Sequence, residues 1–318
     1  LAACRTFDEL YQAFHAQHLL WARTAFHLDA VADIALEEMA PDAFCSALVD
    51  DCLQRGLTVK EGGAVYDVVS GLQSGVANVA NALMALKVRV YEEGSLTAGE
   101  VMAALAADFR NEGGEAVRQR LLGAPKYGND VDEVDELAAR ILRDYQAEMV
   151  HHHTTRYGRG PIGGGYAGST ANISANVPMG SRVGATPDGR HAGEPIAEGA
   201  SAVHGSDALG PTALLRSVAK LPAIKMVANL LNLRLSPGSL AGEAGLRRLV
   251  ILLKGFRSLK LWHVQFNTVD TETLLAAQRN PEQYRDLVVR VAGYSALFVT
   301  LDKATQDDII RRTVHELV

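Results

Sequence analysis

The feature that most constrains this chain is a change of character at His151. Ahead of it, apolar residues recur at helical spacing almost without interruption. Behind it, glycines fall at Gly158, Gly160, Gly163, Gly164, Gly165 and Gly168 among turn residues. A first half that reads as helices and a second half that needs glycine's backbone freedom must pack a helical layer against strands and tight loops. The expectation is an α/β fold.

The helical half carries its own punctuation. Thr6-Phe7-Asp8-Glu9 has the form of a capping box, and Leu10, Phe14 and later apolar positions follow it until Pro41 stops the run. A further helix is expected from Asp42 to a C-cap at Gly56, and another from Ser74 to Val90, with Asn78 and Asn81 on one face. Thr97-Ala98-Gly99-Glu100 is a second capping box, Gly113-Gly114 is a break, and Val131 to Val150 reads as helix. Beyond the change of character, residues 172–177 alternate as a strand does, and 184–190 form a loop with Pro187 and Gly189 at turn positions. Residues 261–267 and 287–291 read as short buried strands. Gly293 then falls on a turn before the apolar run Ser295 to Leu301, and a helix over Gln306 to Leu317 closes the chain. There are no internal repeats.

Several function classes are disfavoured. The 318 residues carry a net charge of −6, and no Lys/Arg stripe with interleaved aromatics offers a grip on nucleic acid. No apolar run reaches the roughly 20 residues of a membrane span. Cys4, Cys45 and Cys52 build neither a disulfide framework nor a CxxC metal site, which points to a reducing, cytoplasmic setting, and Cys45 and Cys52 read as packed thiols. His151-His152-His153 point in different directions at a helix end, so a solvated surface is expected rather than a metal site, and no metal is predicted. Gly163-Gly164-Gly165-Tyr166 has no Lys-Ser/Thr after it and reads as chain reversal, not a phosphate cradle. Gln265 and Asn267 share a strand face by period two, which suggests buried hydrogen bonding. Arg290, on an otherwise apolar strand, is expected to pair with a carboxylate and fix its loop.

That loop carries a resemblance. Val288, Arg290, Val291, Ala292, Gly293, Tyr294 and Ala296 match the radical-bearing loop of glycyl radical enzymes, a coincidence on the order of one in a million from composition alone. From Gly184 onward the chain also resembles the C-terminal region of the pyruvate formate-lyase family block by block. The blocks are Gly184-Ala-Thr-Pro-Asp-Gly-Arg190, Ala192 to Pro195, Gly210 to Ala213, Ser217 to Leu221, Gln265-Phe266-Asn267 and Gln306 to Ile310. Asp50-Asp51-Cys52, Gly62-Gly63-Ala64 and Ala124 to Asp130 extend the likeness toward the N-terminus. Leu259-Lys260-Leu261-Trp262-His263 departs from the paired glycines expected there. Ala292 with Tyr294-Ser295-Ala296 looks more like the dehydratase, amine-lyase and decarboxylase branch than pyruvate formate-lyase itself.

The resemblance implies half of a ten-stranded α/β barrel with surrounding helices, residues 1–183 belonging to the barrel domain and 184–318 to the glycine radical domain. It implies that Gly293 stores a backbone radical in a loop formed by Arg290, Val291, Ala292, Tyr294 and Ser295, with Tyr166, Gln265 and Asn267 as possible site-lining residues. No bound cofactor is implied; a separate activating enzyme with S-adenosylmethionine and an iron-sulfur cluster would install the radical. The family's catalytic cysteine lies on a Gly-Cys loop, and no Gly-Cys pair occurs here. The chain also begins Leu1-Ala2-Ala3 without Met. The expectation is therefore the C-terminal portion of a radical lyase or dehydratase whose missing N-terminal half holds the cysteine, a homodimer when complete. Formate C-acetyltransferase, a non-catalytic repair or interaction subunit, and a remnant that is never activated are the alternatives.

Overall fold

The computed structural model of the chain describes residues 1–172 and 174–317. It opens with α1 (Phe7–Met39), where the Thr6 hydroxyl accepts from the Glu9 N–H, while the Glu9 carboxylate takes the N–H of Arg5 instead of that of Thr6. The helix expected over 42–56 is two short ones, α2 (Ala43–Leu48) and α3 (Cys52–Arg55), because Asp51 sits between them at φ 75°. Gly56 closes α3 in the left-handed conformation, as its C-cap reading requires. Then come β1 (Tyr66–Leu72), α4 (Val76–Leu86), which runs on into a π-helical turn over Lys87–Glu92, α5 (Ala98–Ala106), α6 (Gly114–Leu122) and α7 (Asp132–Met149). Both halves of the Thr97/Glu100 capping box are formed.

The second half contains β2 (Ile162–Ser169), α8 (Asn176–Gly180), α9 (Pro211–Ala219), β3 (Met226–Ala228), β4 (Leu230–Leu235), α10 (Gly242–Ser258), β5 (His263–Asn267), α11 (Thr271–Arg279), β6 (Val288–Arg290), β7 (Ser295–Leu297), α12 (Lys303–Arg311) and β8 (Val314–His315). β1-β2-β3 form one parallel sheet, β5-β4-β8 a second, and β6 with β7 an antiparallel hairpin. Parallel neighbours need long crossovers. Helices α4 to α7 supply that between β1 and β2, and α10 that between β4 and β5. The α/β class holds.

The main core lies where α4 and α7 meet, with Leu83, Met84, Ala138 and Leu142 packed toward Leu214, Leu231 and Leu233. Asn78 and Asn81 belong to that buried face because each serves a loop: Asn78 accepts from Ala197 N and donates to Asp188 Oδ2, both at 2.6 Å, and Asn81 accepts from Tyr127 N at 2.7 Å. A separate small cluster of Leu274, Ala277, Val289, Val291, Phe298 and Ile309 seats the β6-β7 hairpin on α11 and α12.

Three further expectations are corrected. The strand expected over 172–177 is absent from its described residues: Ser174 takes φ 67°, Ala175 N turns back to Asn172 O, and Asn176 starts α8. Ile173 lies outside the described residues. The last helix stops at Arg311 instead of reaching Leu317, because Arg312, Thr313 and His315 leave helical geometry to bind buried partners described below. The glycine run 163–165 is a bulged strand, not a chain reversal. Asp67 pairs with Gly163 and Val68 with Gly165, so Gly164 is the extra residue. A Cβ on Gly163 would stand 1.9 Å from the Asp67 carbonyl oxygen, which only glycine avoids.

Candidate radical site

Val288, Val289 and Arg290 pair with Leu297, Ala296 and Ser295, and the Val291 N–H donates to the Tyr294 carbonyl at 2.9 Å. This leaves Ala292 and Gly293 at the tip of a two-residue hairpin turn. Gly293 has φ 83°, a conformation that glycine reaches without strain. Val291 and Ala292 are buried, whereas Gly293, Tyr294 and Ser295 are exposed. A Cβ on Gly293 would meet nothing within 4 Å. Within this chain the backbone torsion, and not a crowding wall, asks for glycine.

The hairpin tip is held through its main chain. Gly293 donates its N–H to Gln265 Oε1 at 3.2 Å and accepts at its carbonyl from Arg290 Nη2 at 3.3 Å. Arg290 Nε donates to the same Gln265 oxygen at 2.6 Å, and its Nη1 reaches Ser295 Oγ at 3.2 Å. Arg290 was expected to meet a carboxylate. Among the described residues it has none in ion-pair range, because β5 presents an amide where a carboxylate would stand. Asn267, one pleat along, donates to the Arg290 carbonyl at 3.4 Å. Gln265 and Asn267 are both buried. The Tyr294 hydroxyl lies 3.0 Å from Ser174 Oγ.

Behind the hairpin is a buried charged cluster that the sequence did not announce. Arg312 donates to the Val291 carbonyl at 2.6 Å and lies 3.2 Å from Asp308 Oδ2 and 2.9 Å from Glu198 Oε2. Asn176 donates to the other Asp308 oxygen at 3.0 Å. Burial pushes the Glu198 carboxyl up to about 7 despite the arginine, with Asp308 adding to the rise. Burial likewise lowers the His204 imidazole, whose Nε2 is 3.8 Å from Asp308 Oδ1. Nearby, burial pushes Asp207 up, but the hydrogen bonds from His315 and Thr313 outweigh it and hold the carboxyl below its ordinary range. A buried arginine between two acids is indistinguishable in the sequence from a surface Arg311-Arg312 pair, so no pattern could have flagged it.

Other candidate residues fall elsewhere. Tyr166 donates to Asp29 at 2.7 Å and packs its ring against Phe26 at 4.7 Å, on the side of β2 that faces α1, and among the described residues it makes no hydrogen bond to the hairpin. His152 lies 2.9 Å from Glu148 and stacks on Phe26 at 4.4 Å, while His151 and His153 are exposed. Cys52 is buried, and burial together with Asp51 raises its thiol; Cys45 is half-buried. Among the described residues no three His, Cys, Asp or Glu side chains gather as metal ligands, and no helix is long and apolar enough to cross a membrane.

The structure thus presents a glycine at a hairpin tip, hydrogen-bonded at both its amide and its carbonyl, on an α/β scaffold of parallel sheets and helices, and comparison with known proteins supplies the family. Residues 1–180 match the pyruvate formate lyase-like family and residues 196–299 the glycine radical family. The chain belongs to the glycyl radical enzymes of the pyruvate formate lyase-like family. It is 51% identical over 314 residues to the probable dehydratase YbiW of Escherichia coli, covering 98% of this chain and 39% of that protein. A solved structure concerned with 1,2-propanediol dehydration in Roseburia inulinivorans superposes with a TM-score of 0.91 at 42% identity, covering 99% of this chain and 40% of that one. The B12-independent glycerol dehydratase of Clostridium butyricum gives 0.90 at 41% identity, with 98% and 39% covered. The chain thus spans about two fifths of the length of these relatives.

Proposed function

We propose that this chain is the radical-storing portion of a glycyl radical dehydratase that removes water from a small vicinal diol. Gly293 holds the radical on its α-carbon after an activating enzyme, using S-adenosylmethionine and an iron-sulfur cluster, removes a hydrogen atom. Gly293 then takes a hydrogen atom back from a cysteine thiol outside this chain, leaving the thiyl that attacks substrate. The observation that carries this reading is the hairpin tip: a glycine with free space at its α-carbon and hydrogen bonds on both flanking peptide groups. The diol assignment is supported by the 41–42% identity to structures whose subjects are propanediol and glycerol dehydration.

In the same reading, the two parallel sheets are parts of a ten-stranded barrel, residues 1–183 belong to it and 184–318 form the glycine radical domain. The complete enzyme is a homodimer of the anaerobic cytoplasm, since oxygen cleaves a chain that carries a glycyl radical.

The test is anaerobic treatment with an activating enzyme followed by electron paramagnetic resonance. A doublet from the glycine α-proton is expected, together with chain cleavage at Gly293 after exposure to air. The whole protein should then convert glycerol or propane-1,2-diol to the aldehyde and water. Absence of the doublet would sink the radical assignment, and formate release from pyruvate and coenzyme A would point to the acetyltransferase instead.

A further inference from the structure

We infer that Gln265 and Arg290 stabilise the glycine radical electronically, as well as bracing its loop, an inference that rests on Gly293 being the radical site. A radical on a glycine α-carbon is stabilised by an amide nitrogen that pushes electron density in and a carbonyl that draws it out. A hydrogen bond from the N–H to an oxygen strengthens the push. A cationic donor on the carbonyl strengthens the pull. The hairpin provides both: Gly293 N–H to Gln265 Oε1 at 3.2 Å, and Arg290 Nη2 to Gly293 O at 3.3 Å. Arg290 Nε to Gln265 Oε1, at 2.6 Å, closes the ring, so each side chain orients the other.

The polarity of this ring is fixed. Both groups that face the Gln265 oxygen are N–H donors, and its Nε2 donates to Asn232 Oδ1 on β4, so turning the amide round would set its NH2 against two donors. With no carboxylate partner among the described residues, Arg290 is not neutralised beside the Gly293 carbonyl. Gln265 is buried, where a hydrogen bond polarises its partner more than it would in water. The fold has less need of the ring: the β6-β7 ladder, the apolar seat under Val289 and Val291, and the Arg312 bond to Val291 already place the hairpin.

The experiment compares Gln265→Leu, which removes the oxygen at similar volume, and Gln265→Glu, which keeps it, as positioning-residue variants. Each is activated anaerobically by the S-adenosylmethionine-dependent enzyme and followed by electron paramagnetic resonance. The expected result is that Q265L gives a doublet with altered α-proton splitting that decays about five- to ten-fold faster than wild type, the size of one lost hydrogen bond. Q265E keeps an acceptor for the Gly293 N–H but sets a carboxylate against Arg290, so its lifetime should fall between those of Q265L and wild type. Wild-type splitting and lifetime in Q265L overturn the inference. If Q265L takes up no radical, a restored doublet in Q265E supports it, and failure of Q265E with its fold intact overturns it. A wild-type protein without a doublet overturns the radical assignment itself, and is thereby distinguished from failure of the tuning alone.

Discussion

Arg312 reaches the carbonyl of Val291 at 2.6 Å, tying the segment after α12 to the residue that opens the hairpin turn, two positions before Gly293. The same guanidinium sits between Glu198 and Asp308, both almost fully buried. One cation therefore balances two acids and anchors the hairpin at once.

Removing that cation leaves both acids without a positive charge, Asp308 keeping only its Asn176 hydrogen bond, and the Val291 carbonyl without its donor. Arg312→Ala is expected to destabilise the protein by about 3 kcal/mol or more, since stripping one member from a buried ionic group exposes the cost of the others. Arg312→Lys keeps the charge but cannot reach three acceptors in a plane, and should fall between. Urea unfolding at pH 7 measures both. An Arg312→Ala protein as stable as wild type would show that the cluster is solvated.

Glu198 gives stability a pH dependence of known sign. Its carboxyl is raised from 4.5 to about 7 in the folded chain, so between those values the native state holds a proton that the unfolded state releases. Stability from this group is therefore present below about pH 4.5 and is lost as pH rises through 7. Glu198→Gln mimics the protonated form at every pH. Relative to wild type it should gain on the order of 3 kcal/mol between pH 5 and pH 8. Unfolding curves for the two proteins across that range test this, and a constant difference would refute it.

The sequence was most informative where local chemistry acts alone. Thr97 and Glu100 sit within one turn and need nothing else to cap α5, and the Gly293 turn is written in nine consecutive residues. Gln265 and Asn267 were legible because period two places them on one face, here the face that meets the hairpin. What could not be read depends on distant partners. β1 carries Asp67 and Ser70 among its apolar residues and is a strand because β2, about a hundred positions on, pairs with it. The final helix shortens because Asp207 captures Thr313 and His315. Arg290 looked like half of an ion pair, and its partner proved to be an amide.

Tyr166 separates packing from chemistry. Its hydroxyl serves Asp29 on α1, and its ring lies in the cluster formed by Phe26, Tyr145 and Met149. Tyr166→Phe should cost about 1 kcal/mol, the net value of one hydrogen bond, while the radical doublet and its lifetime stay as in wild type. Thermal unfolding and paramagnetic resonance read the two effects independently. A changed doublet with unchanged stability would place Tyr166 in the site after all.

Two glycines with positive φ make opposite demands, and alanine distinguishes them. At Gly163, φ is 118° and an added Cβ would overlap the Asp67 carbonyl and press on its backbone nitrogen, so the β1-β2 bulge has to open. Gly163→Ala is expected to lose several kcal/mol, a backbone clash rather than a side-chain rearrangement. At Gly293, φ is 83° but the space around the added methyl is empty, leaving only the torsional penalty of about 1 to 2 kcal/mol. Gly293→Ala should therefore fold with a nearly native unfolding midpoint and yet give no glycyl doublet and no oxygen-dependent cleavage at position 293. Gly163→Ala, where enough folds to be activated, should show the doublet unchanged. If Gly293→Ala unfolded as readily as Gly163→Ala, the glycine would be serving the fold, and its loss of radical signal would carry no information about chemistry.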